Sequence, residues 1–386
     1  MDFIPNELAE LKQAGLFRQL REIQSAQGPR VTLDRRELLC FCSNNYLGLA
    51  NHPHLVQAAK AALERWGLGA AASRLVSGNM TPHRELEEAI AEFKHAPAAI
   101  AFPTGYMANL GAITALVGKP DLIIGDKLNH ASIVDGARLS RATLRVYPHG
   151  NVGKLQRLLD TVPHRRALVV TDTVFSMDGD LAPLADIVDV ADAHGAMLMV
   201  DEAHATGVIG PGGRGLVAEL GLEGRVPVVM GTLSKAVGAL GGWVAGSTDL
   251  IDFLRNRARS FIYTTAAPPA VCAAAQAGLK LIAERDDLRD ALWRNTRRLL
   301  DGARQLGFDT GNSQTPIVPI IVGEADAAMR LSQHLLDRGI LAPAIRPPTV
   351  SPGASRIRLT VMATHTDADI ERVLDGLAAF AAAARG

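Results

Sequence analysis

The chain has 386 residues, more than one small hydrophobic core accommodates, so two domains, or one large domain with an appended one, are expected. Apolar residues make up 48% and charged residues 21%, ordinary for a water-soluble globular protein. Lys plus Arg and Asp plus Glu both number 40, so the formal charge is zero and offers no support for a nucleic-acid partner or a membrane surface.

The first residues, Met1 to Glu7, include acids and no apolar core, unlike a secretory signal. No run approaches the roughly 18 apolar residues of a membrane span, which makes the cytoplasm the expected location. The cysteines are Cys40, Cys42 and Cys272, an odd number with no disulfide framework. Cys40 and Cys42 face the same way at strand spacing. A metal site would need a second ligand pair, and none is present, so they read as structural.

Residues 6–24 predict a helix capped by Asn6, with Leu8, Leu11, Leu16 and Leu20 at near-helical spacing. A Gly28-Pro29 turn and a strand-like pair follow, up to Cys42. From about residue 53, helical patterns alternate with short apolar runs. Thr81-Pro82 reads as a helix start, with a capping hydroxyl followed by proline. Leu86, Ile90 and Phe93 line one face of that helix. The runs Leu122–Ile124, Leu168–Thr171, Met197–Val200 and Val226–Met230 are short, apolar and β-branched. They predict an α/β fold: a mostly parallel central sheet covered by helices on both faces. Residues 270–304 form a long alanine-rich helical stretch. The texture then changes: Pro316–Val322, a helix near 326–338, Arg346-Pro347-Pro348, a strand Arg356–Val361 and a last helix from about 366. The expected division is an N-terminal helix and strand segment over 1–50, a large domain over 51–280 and a small C-terminal α+β domain over 281–386.

In parallel sheets, ligands bind at the carboxyl ends of the strands. After Met197–Val200 comes Asp201-Glu202-Ala203-His204. After Val226–Met230 comes Gly231-Thr232-Leu233-Ser234-Lys235. After Leu168–Val170 come Thr171-Asp172 and then Ser176 to Asp180. One rim thus gathers an acid with a histidine, a hydroxyl-flanked lysine and a serine. Pyridoxal 5'-phosphate (PLP) chemistry calls for this set. A carboxylate keeps the pyridine nitrogen protonated, a lysine forms the imine and later moves protons, and hydroxyls and backbone amides hold the phosphate. Each piece alone has a plainer reading: a solvated lysine, a helix-capping acid, a structural histidine. The joint placement is what speaks for chemistry. Gly210-Pro211-Gly212-Gly213-Arg214-Gly215 matches the dinucleotide pattern G-x-G-x-x-G, but it does not directly follow a strand, contains proline and has no acid about 20 positions on. It is expected to be a flexible loop near the cofactor rim.

Six segments together resemble the α-oxoamine synthases, PLP enzymes of the aspartate aminotransferase fold (fold type I). They are Ser43-Asn44-Asn45-Tyr46-Leu47-Gly48-Leu49, Ala72-Ser73-Arg74-Leu75-Val76-Ser77-Gly78, Asn129-His130-Ala131-Ser132, Asp201-Glu202-Ala203-His204, Thr232-Leu233-Ser234-Lys235 and Arg346-Pro347-Pro348-Thr349-Val350. The resemblance covers nearly the whole chain. It implies that Lys235 is the Schiff-base lysine, that Asp201 partners the pyridine nitrogen and that His204 bonds the ring oxygen. His130 would stack on the ring and help position substrate. Gly105 and Tyr106 would approach the phosphate, with Ser176 and Thr232 as further cofactor contacts. Thr264 and Thr265 match a pair that reaches the phosphate of the neighbouring subunit, which implies a homodimer. On the substrate side, Arg18 (with Arg21 as the competing choice), Asn44 and Thr349 match contact positions. Arg358 matches the arginine that grips the amino acid carboxylate, a task suited to a planar fork.

Two departures are small: Asn45 where an aspartate is frequent, and Phe102-Pro103-Thr104 before Gly105. The Ser73–Gly78 and Arg346–Val350 patterns resemble the branch that serves biotin biosynthesis, joining L-alanine to a pimeloyl thioester carried on coenzyme A or acyl carrier protein. Sibling branches pair glycine with acetyl- or succinyl-CoA, or serine with a long acyl chain. A non-catalytic partner subunit of this fold would have lost the lysine, whereas Lys235, Asp201, His204 and His130 are all present.

Overall fold

A computed structural model describes residues 3–13, 16–18 and 20–383. Seven strands form the central sheet, side by side in the order Ala98–Phe102, Gly242–Gly246, Val228–Thr232, Met197–Asp201, Ala167–Asp172, Leu122–Asp126 and Thr143–Tyr147. All run parallel except Gly242–Gly246, which is antiparallel to both neighbours. Alternate residues serve opposite faces. Ile123, Leu168, Val170 and Met199 enter one core, whereas Leu122, Ile124, Val169 and Leu198 enter the other. Both faces are therefore apolar and covered, which explains why these strands read as continuous hydrophobic runs.

A smaller antiparallel sheet joins Ile317–Gly323, Ser355–Thr360 and Ala344–Ile345, accompanied by the helices Ala325–Asp337 and Asp367–Ala383. The hairpin Arg30–Leu33 and Arg36–Cys40 pairs in parallel with Ile340–Leu341. The N-terminal ribbon thus packs on the C-terminal part through Val31, Leu38, Cys40, Leu341 and Met362.

Several elements differ from the sequence expectation. The first helix is Phe3–Gln13 and buries none of its residues. Asn6 lies inside it rather than capping it. Without an apolar face to pack, little extends the helix, and Ile23 and Gln24 are instead recruited by the ribbon, where Gln24 N–H donates to Thr32 O at 2.8 Å. Thr81 is also inside its helix. The N-cap is Met80, whose own N–H donates to His83 Nδ1 at 3.2 Å, so the imidazole at the third helical position bonds back to the cap residue and the Thr81 hydroxyl caps nothing among the described residues. The alanine-rich stretch is two helices, Pro269–Glu284 and Asp286–Gln305, broken at Arg285.

The glycine-rich 210–215 segment does not sit at the cofactor rim. Arg214 Nη1 bonds His95 at 2.8 Å and Glu223 at 2.9 Å, two residues that precede the strands starting at Ala98 and Val228. The segment therefore reaches the amino ends of the strands. A buried ion pair holds it: Lys94 Nζ donates to both the Glu202 carboxylate and Arg214 O, while Glu202 Oε1 accepts from Val217 N–H at 2.9 Å. A Cβ at Gly215 would collide with the Glu202 carboxylate, so the glycine is needed for close approach. Removing one partner of a buried pair leaves an uncompensated charge. Glu202→Ala is expected to lower stability by about 3–5 kcal/mol, read as a fall in the urea midpoint; an unchanged midpoint would show that the pair does not hold the segment.

Candidate active site

The carboxyl ends of the parallel strands carry the polar groups. Asp201 and Asp172 lie at paired register on adjacent strands, both buried. Asp201 Oδ1 accepts from Ala203 N–H and Oδ2 from Asn109 Nδ2, each at 2.8 Å. Asp172 Oδ2 accepts from His130 N–H at 2.8 Å, and the Asp172 amide donates to Asn129 Oδ1 at 3.1 Å. Burial, and then the neighbouring Asp201 charge, push the Asp172 carboxyl well above the usual carboxylate range. Asp172 holds the His130 backbone, while Asp201 gathers the Asn109 and Ala203 donors.

Lys235 lies three residues beyond the strand Val228–Thr232. Burial lowers its amine to about 8, against the opposing pull of Asp201 and Asp172. A fraction of free amine is then present near neutrality, which a nucleophile requires.

His130 caps the helix Ala131–Ser140. Asn109 Nδ2 also donates to Ser132 Oγ at 2.8 Å, leaving the Ser132 hydroxyl to donate to His130 Nδ1 at 2.7 Å. The Ser132 amide approaches the same nitrogen at 3.3 Å. His130 therefore carries its proton on Nε2. Burial, then Lys235, lower its pKa against the opposing charge of Asp201, which keeps the ring neutral. His204 is buried beside this group, and burial followed by the Lys235 charge holds it well below its ordinary value.

The helix Gly105–Leu116 starts at the same rim. Thr104 Oγ1 caps Met107 N–H, while the amides of Gly105 and Tyr106 have no acceptor among the described residues. A Cβ at Gly105 would stand 3.3 Å from Thr232 Oγ1, and one at Gly242 would meet Gly105 Cα at 2.5 Å. Backbone thus packs on backbone here, leaving free N–H groups at a helix N-terminus, a ready anion site. The Tyr106 hydroxyl is turned away to the Asp135 carboxylate. Thr232 Oγ1 donates to Gly241 O at 2.8 Å and lies 2.8 Å from Ser234 Oγ.

On the opposite side, Arg358 is buried on the strand Ser355–Thr360. Its Nε–H donates to Ser176 O, Nη1 to Thr360 Oγ1 at 3.1 Å and Nη2 to Asn44 Oδ1 at 3.1 Å. One N–H on each terminal nitrogen is left for a carboxylate. Asn44, Ser176 and Arg358 are thus brought together. The Ser176 loop is pinned further by Arg356 on Asp178 at 2.6 Å, and by His149, which bonds Asp126 at 3.0 Å and Asp180 at 2.7 Å.

Other expected residues lie apart. Thr349 is on an exposed turn. Thr264 is half-buried and Thr265, which is exposed, forms a bridge with Ser73; neither side chain bonds the rim of its own chain among the described residues. Arg18 and Arg21 are both exposed, and Arg21 is the one whose charge acts on Cys42, beside Arg358. Asn109, Ser132 and Asp172 are site residues that sequence reasoning did not assign.

The donor set fits PLP. A carboxylate stands for a pyridinium, an amine for an aldehyde, imidazoles for the ring oxygen and face, and free amides for the phosphate.

A family profile described as aminotransferase class I and II matches residues 36–377. The chain belongs to the aminotransferase class I and II family. Two curated relatives are named 8-amino-7-oxononanoate synthase. That of Symbiobacterium thermophilum is 49% identical over 386 residues, covering 100% of this chain and 98% of the relative. That of Geotalea daltonii is 50% identical over 382 residues, covering 98% and 97%. Among solved structures, Sphingomonas wittichii serine palmitoyltransferase is 35% identical, covers 99% of this chain and 97% of its own, and has a TM-score of 0.93. A structure described as SPT with PLP internal aldimine is equally similar at 35%, with a TM-score of 0.94 and the same coverage. Family membership gives the mostly parallel sheet and the smaller C-terminal domain a common explanation.

Two outcomes follow from the titrating groups. With Lys235 near 8, the rate at which added PLP develops its visible band on cofactor-free protein should rise roughly tenfold from pH 7 to pH 9 and then level off. A rate that only begins to climb near the ordinary lysine value of 10.5 would contradict the desolvated amine. His149 is raised from 6.5 to about 10 by its hydrogen bonds to Asp126 and then Asp180. A raised pKa means that the pairing stabilises fully below pH 6.5 and is lost as pH climbs through about 10. The melting-temperature gap between the parent chain and His149→Ala should therefore be widest in acid and close toward pH 10; a gap that widens with pH reverses the assignment.

Proposed function

We propose that the chain condenses L-alanine with a pimeloyl thioester, releases the thiol and carbon dioxide, and so forms 8-amino-7-oxononanoate for biotin biosynthesis. It is an acyltransferase with PLP as its cofactor. One observation carries the reading: relatives bearing that name are about half identical across nearly the full chain. Coenzyme A and acyl carrier protein both remain acceptable carriers.

When bound, PLP supplies an electron sink for negative charge at the amino acid α-carbon. Lys235 would hold the cofactor through its amine and would serve as the base for the α-proton of alanine. Asp201, steadied by Asn109 and the Ala203 amide, keeps the ring nitrogen protonated. His130 covers the ring face, and His204 attends the ring oxygen. Gly105 and Tyr106 approach the phosphate, with Ser176 and Thr232 as further cofactor contacts. The two free N–H groups of Arg358 grip the alanine carboxylate next to Asn44. Arg18, or Arg21, and Thr349 serve the acyl substrate.

Residues 51–280 form the cofactor-holding domain. Residues 1–50 and 281–386 supply the substrate side, since Asn44 and Arg358 lie in them. The assembly is a homodimer: Thr264 and Thr265 reach the phosphate of the other subunit. Exposed Leu75, Val76, Leu240 and Tyr263 near these threonines support a covered face. Three free thiols support a cytoplasmic location, and no described helix is long and apolar enough to cross a membrane.

Thiol release should be measured with alanine and glycine against pimeloyl, acetyl and succinyl thioesters. Alanine with pimeloyl thioester is expected to be fastest, and Lys235→Ala to lose at least about a hundredfold. Preference for glycine would overturn the alanine branch.

A further inference from the structure

Tyr46 lies in the Ser43–Leu49 segment, and the resemblance implies no task for it. Its hydroxyl lies 2.6 Å from His204 Nδ1, both side chains being buried. The two rings meet edge-on, 6.0 Å apart at 70°.

The direction of this hydrogen bond follows from counting protons. His204 Nδ1 is the one hydrogen-bond acceptor of the hydroxyl among the described residues. Arg358 also acts on the hydroxyl, by its charge and as a hydrogen-bonding group, and it offers donors only. If Nδ1 carried a proton, it would donate to the phenol oxygen, and the phenol's own proton would be buried with no acceptor, at the full desolvation penalty. The arrangement that satisfies both groups has O–H donating to Nδ1. Burial favours the same state from both sides. It raises the Tyr46 phenol to about 12, so the proton stays on, and it keeps the His204 imidazole neutral. The imidazole proton is then on Nε2. That nitrogen has no hydrogen-bond partner among the described residues, and the charges acting on the ring are those of Lys235 and Arg358, both in the site.

We propose that Tyr46 is a positioning residue whose hydroxyl locks His204 in the Nε2–H tautomer, so that the imidazole presents a fixed donor to the phenolic oxygen of the cofactor. A histidine free to change tautomer would offer an acceptor part of the time and repel that oxygen. The identity of the acceptor rests on the proposed function; the tautomer itself does not.

The test uses the full chain labelled with nitrogen-15 histidine, before and after addition of PLP. His204 signals are assigned by their loss in His204→Asn. Nδ1 should resonate as an unprotonated nitrogen and Nε2 as a protonated one. Tyr46→Phe keeps the ring and its packing but removes the donor. It should blur or reverse this pattern and weaken PLP binding about tenfold in an absorbance titration, with kcat falling more than the KM for alanine rises. A protonated Nδ1 in the parent chain overturns the proposal, as does a Tyr46→Phe spectrum and PLP affinity matching the parent. If the tautomer responds as stated but no thiol is released from pimeloyl thioester with alanine, the functional reading fails and the lock stands.

Discussion

Asp172 and Asp201 are held side by side, out of water, by the register of two adjacent parallel strands. Two like charges at such spacing cannot both persist in a low dielectric. Much of the rim is an answer to that crowding. Lys235 brings a positive charge, Asn109 and the Ala203 amide bring donors to Asp201, and the His130 amide brings one to Asp172. The helices that carry Asn109 and His130 are thereby tied to the same pair of strand ends. Catalytic groups and structural satisfaction are one hydrogen-bonded set.

A second constraint comes from distant chain segments. Asn44, Ser176 and Arg358 meet in one cluster, so the N-terminal ribbon, the central sheet and the C-terminal sheet each contribute one part. The ribbon can do this because it pairs with Ile340–Leu341 rather than standing alone. Arg356 and His149 fix the Ser176 loop from two sides, which keeps its carbonyl under the Arg358 guanidinium.

Much of this was legible in the sequence. Apolar runs ending in polar residues place Asp201, His204 and Lys235 on one rim without knowledge of strand order. Asp172 was visible as an acid after such a run, yet its effect depends on which strand lies next to which. Asn109 sits in mid-helix with no local signal, and its role arises from the helix packing over Asp201 and Ser132. Tyr46 and His204 are 158 positions apart, so their contact exists only in the fold. The expectations that failed were local ones. Leucine spacing over 6–24 has no core to pack against, and Thr81 lies inside its helix rather than capping it. The glycine-rich segment is drawn to the amino ends of the strands by Arg214 and Lys94.

The close approach of Gly242 to Gly105 has a wider meaning. Under the start of the helix Gly105–Leu116 the contact is main chain on main chain, and Gly242 has no room for a Cβ. Such a surface offers nothing for substitution to vary. At Gly242 any side chain would displace the start of the helix Gly105–Leu116, whereas an exposed turn such as that of Thr349 can change its side chains without moving this contact.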